Sequence, residues 1–397
     1  MSEPRAEPWV AIIGIGEDGL PGLTDASRVA LQSADIVFGG PRHLLLAAAG
    51  ARGRAWPAPF SIEPVLAERG HRVAVLASGD PFWFGAGGTL ARHLSAGEWV
   101  AYPAPSTFSL AAARLGWRLE DTTCLGLHAA PFEQLEPVLT PGAQVICLVR
   151  DGAAVATLAA WLRARGFGPS SLWLLEALGG AAERIRATTA ANFDVADIAA
   201  PVAVAILAAG APGLPRGFGL PDECFEHDDQ ITKRPIRALT LSALAPRPGE
   251  MLWDIGAGSG SIAVEWCLAG GSAQAIEQRP SRAENIAANA ARFGIAARLR
   301  IVTGTAPDAL AGLPRPDAVF IGGGANAGLL DALWPMLPGG TRLVANAVTL
   351  ETEALLTEAQ ARHGGGLMRI ELAKSAPLGG MRGWEPARPV VQWSAVR

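Results

Sequence analysis

The alternation of apolar runs and helix-forming segments that fills this chain breaks down once, and the break dictates two separately folded parts. The run Ala209-Gly-Ala-Pro-Gly-Leu-Pro-Arg-Gly-Phe-Gly-Leu-Pro221 holds four glycines and three prolines in thirteen residues. Such composition favours turns and linkers over strand or helix. A chain of 397 residues leaves each side long enough for a core of its own, given the usual domain size of ~100–200 residues. The predicted domains are 1–212 and 213–397.

In the first part, Trp9-Val-Ala-Ile-Ile-Gly-Ile-Gly16 reads as a buried strand ending in glycines. A helix is predicted over 24–33, with Thr24 as N-cap and Asp25 in its first turn. Apolar runs at 73–77, 144–149, 171–175 and 201–207 read as strands, with helical stretches at 87–94, 106–115 and 152–165. In the second part, helices are predicted at 231–244, 259–269, 280–293, 325–337 and 349–363. Its strands are predicted at 250–255, 273–277, 299–303, 317–321 and 341–346. Segments 367–374 and 389–396 read as an antiparallel closing hairpin, with Pro377-Leu-Gly-Gly as loop. This alternation predicts an α/β fold with largely parallel sheets. The glycine loops of the two parts differ in spacing, so the chain is a fusion of unlike domains and not a duplication.

Composition then removes function classes. Apolar residues make up 50% and charged ones 18%, which excludes a disordered chain. The net charge is −4 and no block of lysine or arginine occurs, which argues against a broad nucleic-acid surface. The basic residues are almost all arginine, Lys233 and Lys374 excepted, a bias that compositional drift explains. Cys124, Cys147, Cys224 and Cys267 lie far apart with no CxxC pair, so neither a zinc knuckle nor a disulfide framework is expected. The histidines at 43, 71, 93, 128, 227 and 363 show no i, i+4 spacing, so no metal site is expected. They read as surface or scaffold residues, with His128 placed to line a cleft. The polar stretch Met1 to Pro8 carries no signal-peptide pattern. The longest apolar run, 201–214, falls short of the ~20 residues of a membrane span. A soluble, cytoplasmic protein is expected, with no membrane partner.

The sharpest chemistry lies in Leu252-Trp-Asp-Ile-Gly-Ala-Gly-Ser-Gly260, a strand running into a GxGxG loop and a helix start. Glycine at 256 and 258 lets the backbone approach a ligand, and Gly260 opens the way into the helix. Glu277 ends the next strand about twenty residues on, where a carboxylate can accept hydrogen bonds from both hydroxyls of a ribose. The third glycine comes one residue too early for a dinucleotide fingerprint, so no pyrophosphate cradle is required. This spacing resembles the first motif of the class I methyltransferases, which bind S-adenosylmethionine. The resemblance implies cofactor contacts from Gly256, Ala257, Gly258, Ser259, Gly260 and Glu277, and adenine contacts from Thr305 and Ala306 in Gly304-Thr-Ala-Pro-Asp308.

Upstream, Pro221-Asp-Glu-Cys-Phe-Glu and Gln230-Ile-Thr-Lys-Arg-Pro-Ile-Arg237 resemble the lead-in segment of small methyltransferases that act at C15 of precorrins. Phe320-Ile-Gly-Gly-Gly324 resembles theirs as well. The resemblance places Thr232 over the cofactor, while the residues alone also allow a plain helix N-cap there.

The first domain carries its own set. Gly79-Asp80-Pro81 follows a strand, Gly14-Ile-Gly-Glu-Asp-Gly precedes it, and Pro103-Ala-Pro-Ser-Thr107 comes about twenty-five residues later. A carboxylate in such a turn at a strand's end can hold a polar ligand. The order resembles the tetrapyrrole methylases, or class III methyltransferases, which bind S-adenosylmethionine between two lobes. Gly79, Asp80, Ser106 and Thr107 match that family's cofactor motifs. Glu17-Asp18 stands in place of the more usual proline-glycine, and Ala104 in place of a glycine.

The pair of domains resembles the fused methylating and decarboxylating enzymes of cobalamin synthesis. That implies methylation of precorrin-6Y at C5 by the first domain. It also implies methylation at C15 and loss of CO₂ from the ring C acetate by the second, giving precorrin-8X. Arg234, Arg237, Arg282 and Arg382 are then candidate clamps for the substrate's carboxylates, and a homodimer or homotetramer is implied. A cobalt-containing substrate fits the same residues. A methyltransferase acting on RNA would need only the second domain, against the acidic balance. A non-catalytic S-adenosylmethionine- or tetrapyrrole-binding protein would need one glycine loop degraded, and both are intact.

Overall fold

The computed structural model describes residues 8–397; the stretch read above as free of a signal peptide lies, but for Pro8, outside them. Two compact units form. The first comprises the described residues to Phe132 and Leu139–Pro212, and the second comprises Gly213–Arg397 together with Glu133–Val138.

The first unit has two lobes. In the first lobe β1 (Val10–Ile15), β2 (Ile36–Gly39), β3 (Gly53–Ala55), β4 (Val73–Ser78) and β5 (Trp99–Tyr102) form an all-parallel sheet of order β3-β2-β4-β1-β5. Both faces of this sheet are covered. Ile13, Ile15, Val37, Ala74 and Leu76 enter one apolar cluster, while Val10, Ile12, Phe38, Val73 and Val75 enter another. That period of two, apolar on both sides, is why β1 and β4 read as continuous hydrophobic runs. Helix Asp25–Ser33 starts as expected, with the Thr24 hydroxyl accepting the Ser27 amide at 3.2 Å.

The second lobe corrects the expectation of largely parallel sheets. Its strands β6 (Thr122–Gly126), β7 (Gln144–Leu148), β8 (Ser171–Glu176), β9 (Arg184–Thr189) and β10 (Val202–Leu207) lie in order β6-β7-β10-β8-β9, and only β6 and β7 are parallel. The link from β8 to β9, residues 177–183, is too short for a crossover helix, so the two strands must run antiparallel.

The second unit is built on β11 (Met251–Ile255), β12 (Ser272–Glu277), β13 (Leu299–Thr303), β14 (Ala318–Ile321), β15 (Arg342–Ala347), β16 (Gly366–Ile370) and the last strand of the chain, Val390–Val396. Ordered from β13 through β12, β11, β14 and β15, the sheet is parallel, and Val390–Val396 then inserts antiparallel between β15 and β16. The two outer segments therefore pair as expected. Between them stands an unforeseen hairpin, β17 (Ala373–Leu378) and β18 (Met381–Pro386), so Pro377 and Leu378 are strand and only Gly379-Gly380 turns.

Helix Arg234–Leu244 starts three residues later than expected, because Pro235 belongs in the first turn and cannot serve as a mid-helix donor. Lys233 occupies the N-cap, which rules out the reading of Thr232 as that cap. No helix among the described residues is long and apolar enough to cross a membrane, and the four cysteines are free.

Candidate active sites

In the second unit the chain leaves β11 through Gly256, Gly258 and Gly260, all in the left-handed region at φ +69°, +60° and +72°. At Gly256 a Cβ would stand 2.6 Å from the Gly323 carbonyl oxygen, so only glycine lets the loop lie against the loop after β14. The Gly256 and Ala257 amides donate to the Ile276 carbonyl at 2.9 and 3.1 Å. Glu277 is buried; its Oε2 accepts the Gly258 amide at 2.9 Å and its Oε1 the Arg279 amide at 2.9 Å. The carboxylate expected to meet a ribose thus also holds the glycine loop in shape.

A cavity of about 150 Å³ opens beside this loop, and Gly256, Glu277, Thr305 and Ala306 line it. Of the expected cofactor residues, Ala257, Gly258, Ser259, Gly260 and Thr232 are not in its lining. Ser259 is buried with an unpartnered hydroxyl, while its carbonyl accepts from Asn289 at 2.9 Å. Thr232 is half-buried, and its carbonyl accepts from Arg237. Gln278, Gly323, Gly324 and Leu329 also line the cavity. Gln278 and Leu329 were missed; the only signal for Gln278 is that it follows the acidic strand end.

Below the loop, Asp254 is almost fully buried, with Oδ2 accepting the Ala263 amide at 3.1 Å and Oδ1 unpartnered. Burial pushes its carboxyl up to about 7, with the nearby Glu277 charge acting in the same direction and the Ala263 bond opposing both.

Among the arginines named as clamps, Arg237 is corrected outright. It is wholly buried, donates from Nε to Glu265 at 2.6 Å, lies 3.0 Å from Asp222, and also donates to the Leu220 and Thr232 carbonyls. Glu265 in turn accepts the Gly219 and Leu220 amides at 2.7 and 3.0 Å. This pair fastens the lead-in segment and cannot reach a substrate. Arg282 does line the cavity, paired with Asp228 at 2.8 Å. Arg234 and Arg382 are exposed.

In the first unit Gly79 takes φ +56°, and a Cβ there would lie 2.7 Å from the Ser106 Cα. Its amide donates to Ile15 and its carbonyl accepts from Ala104, each at 3.1 Å, which brings the G-D-P turn, the end of β1 and the Pro103–Thr107 stretch together at backbone contact. Asp80 Oδ1 accepts the Phe82 amide at 2.8 Å, the turn-closing bond typical of an aspartate there. Ser106 is buried as the N-cap of helix Thr107–Leu115, its hydroxyl accepting the Ser109 amide at 3.0 Å. Thr107, half-buried, is that helix's first residue. His128 is exposed. Among the described residues no group of three His, Cys, Asp or Glu is placed to hold a metal ion.

Comparisons with known proteins find two family matches along the chain. Residues 10–194 match the family of tetrapyrrole (corrin/porphyrin) methylases, and residues 223–397 match a precorrin methyltransferase domain. A precorrin-6Y C(5,15)-methyltransferase [decarboxylating] from Sinorhizobium sp is 52% identical over 99% of this chain and 98% of its own length. One of the same description from Mycobacterium tuberculosis (strain CDC 1551 / Oshkosh) is 41% identical over 98% of this chain and 100% of its own. The solved C-terminal domain of the Rhodobacter capsulatus precorrin-6Y C5,15-methyltransferase is 60% identical, covering 46% of this chain and 100% of that domain, with a TM-score of 0.46. The chain thus joins a tetrapyrrole methylase fold to a Rossmann-like methyltransferase fold.

Proposed function

Because the chain belongs to the precorrin-6Y C5,15-methyltransferase (decarboxylating) family, we propose that its two units hold separate methyl-transfer sites with a fixed division of labour. The chain methylates precorrin-6Y at C5 and C15 and removes a carboxyl group as CO₂. In our reading the second unit methylates C15 and decarboxylates the ring C acetate, the first unit methylates C5, and the product is precorrin-8X.

S-adenosylmethionine is the methyl donor we assign to both units. It supplies an electrophilic methyl group on a sulfonium sulfur, which leaves as a neutral thioether. The observation that carries this reading is the Glu277–Gly258 tie: a buried carboxylate and a glycine loop shaped for close backbone approach face one cavity. Gly256, Glu277, Thr305 and Ala306 would hold the donor there, with Ala257, Gly258, Ser259 and Gly260 forming the loop behind and Thr232 over it. Gly79, Asp80, Ser106 and Thr107 would do so in the first unit, where the glycine again leaves no room for a side chain.

The protein's share of the chemistry is alignment and exclusion of water, since the meso carbons of a reduced precorrin are enamine-like and nucleophilic on their own. The macrocycle itself can take up the electron pair released as CO₂ leaves. Arg282, beside the cavity, is suited to bind one of the substrate's carboxylates. We further assign the enzyme to the cytoplasm as a homodimer or homotetramer.

Mass spectrometry of precorrin-6Y incubated with the chain and S-adenosylmethionine tests the reading. Two added methyl groups and one lost CO₂ are expected. No mass change despite donor binding would refute it, and turnover of only the cobalt-containing analogue would move the assignment to that substrate.

A further inference from the structure

Four polar side chains from three strand ends converge in the first unit, and none of them is among the donor-binding residues assigned above. Glu17 lies in the loop after β1, Arg42 and His43 belong to the helix that follows β2 (Pro41–Leu46), and Ser78 is the last residue of β4. His43 Nε2 stands 2.8 Å from Ser78 Oγ. Arg42 Nη2 donates to Ser78 Oγ at 2.9 Å and to His43 Nε2 at 3.0 Å, and Arg42 Nη1 pairs with Glu17.

The bonding defines the state of the imidazole. A guanidinium has donors only, so His43 Nε2 must be the acceptor and the ring proton sits on Nδ1. That Nδ1 is buried with no partner among the described residues. Burial, and then the Arg42 charge, push His43 down to about 4, so the ring is neutral at physiological pH. Ser78 is exposed, and the other three are half-buried.

The location is also distinctive. In the order β3-β2-β4-β1-β5 the chain leaves β1 toward one side and β4 toward the other. The crevice beyond the carboxyl ends of two such strands is where open α/β sheets take their ligands. Ser78 stands at that crevice, immediately before Gly79 and Asp80.

We propose that Ser78 and His43 form the proton relay of C5 methylation, with Arg42 and Glu17 as positioning residues; this rests on the reading of the first unit as the C5 site. Once C5 carries its new methyl group it is bonded to its original hydrogen as well, and the macrocycle is cationic. The C5–H bond then breaks and its electron pair restores the conjugation of the ring. The proton passes to Ser78 Oγ as the serine's own proton passes to the lone pair of His43 Nε2, which Arg42 Nη2 gives up while keeping its bond to Ser78 Oγ. The Glu17 carboxylate offsets the charge of Arg42 beside the new imidazolium. After product leaves, the imidazolium returns its proton to water.

The test uses the full chain, C5-deuterated precorrin-6Y, and the Ser78→Ala and His43→Gln variants. Both variants should keep donor binding, C15 methylation and CO₂ loss. Their C5 methylation should fall by about 10²-fold, the low end for loss of a general base, and should acquire a primary deuterium isotope effect. Nitrogen-15 NMR of the unliganded wild-type chain should show His43 protonated at Nδ1 and not at Nε2. C5 methylation within threefold of wild type in both variants overturns the relay. So does a loss of rate with no isotope effect, or a proton on Nε2. If the wild-type chain adds its methyl group only at C15, the C5 assignment of the first unit fails, and the relay falls with it.

Discussion

Glu277 Oε2 accepts the Gly258 amide at 2.9 Å, so the acidic end of one strand holds the middle of the glycine loop that leaves its neighbour. Two features that would each be weak alone are one device. The shape of the loop depends on this bond.

Glu277→Gln should therefore weaken donor binding in the second unit by more than the loss of a ribose contact. A carboxamide offers one oxygen where the structure needs two, one for Gly258 and one for Arg279. With hydrogen bonds to charged groups contributing ~1.5–3 kcal/mol, the dissociation constant should rise about 10- to 100-fold. Calorimetry on the whole chain would show one weakened and one unchanged binding event. Two unchanged events would contradict the assignment.

Gly256→Ala should abolish donor binding in the second unit and spare the first. The added methyl would be forced to 2.6 Å from the Gly323 carbonyl oxygen, at a φ of +69° that alanine avoids. Equilibrium dialysis with labelled donor should give half the wild-type stoichiometry. An unchanged stoichiometry would place the donor elsewhere.

Arg237→Met should destabilise the second unit by about 3–5 kcal/mol, because it strands a buried carboxylate. Glu265 would lose its guanidinium partner, and the Leu220 and Thr232 carbonyls would lose a donor. Urea unfolding would read the change. Arg237→Lys should recover little, since one ammonium cannot span the same acceptors. A variant as stable as wild type would contradict the fastening role.

Asp254 predicts a pH dependence of definite sign. Its folded carboxyl titrates near 7 against an ordinary 3.8, so between these values the folded state binds the extra proton. Its contribution to stability is full below about pH 4 and is lost as pH rises to about 7. Asp254→Asn should remove that slope from urea midpoints measured over this window. A slope unchanged by the substitution would show that the carboxyl titrates normally.

Legibility in the sequence followed burial. β1, β4, β11 and β12 were visible because covered parallel strands must be apolar on both faces. The mostly exposed β3, the half-buried β5 and β6, and the polar β9 carry no such run and escaped notice, as did the buried β2, whose four residues are too few to mark one. The β17–β18 hairpin was hidden for the opposite reason. Leu378, Met381 and Trp384 are exposed there, so no buried face set a pattern, and Pro377 resembled a break. Strand direction in the second lobe was not encoded by the alternation of elements at all; the short link after β8 was the only clue. At the sites, glycine spacing and Glu277 were legible because backbone approach demands those residue types. Arg237 looked like an exposed clamp because the sequence does not display the buried Glu265 that claims it.

The division of labour is tested most directly by the product of the Gly79→Ala chain acting on precorrin-6Y with S-adenosylmethionine. Alanine at this position would meet the Ser106 Cα at 2.7 Å, which disables the first unit alone. Carbon-13 NMR of the product, made with methyl-labelled donor, should show one new methyl group, at C15, and the ring C acetate decarboxylated. A methyl group at C5, or a retained carboxyl with C15 methylated, would contradict the account.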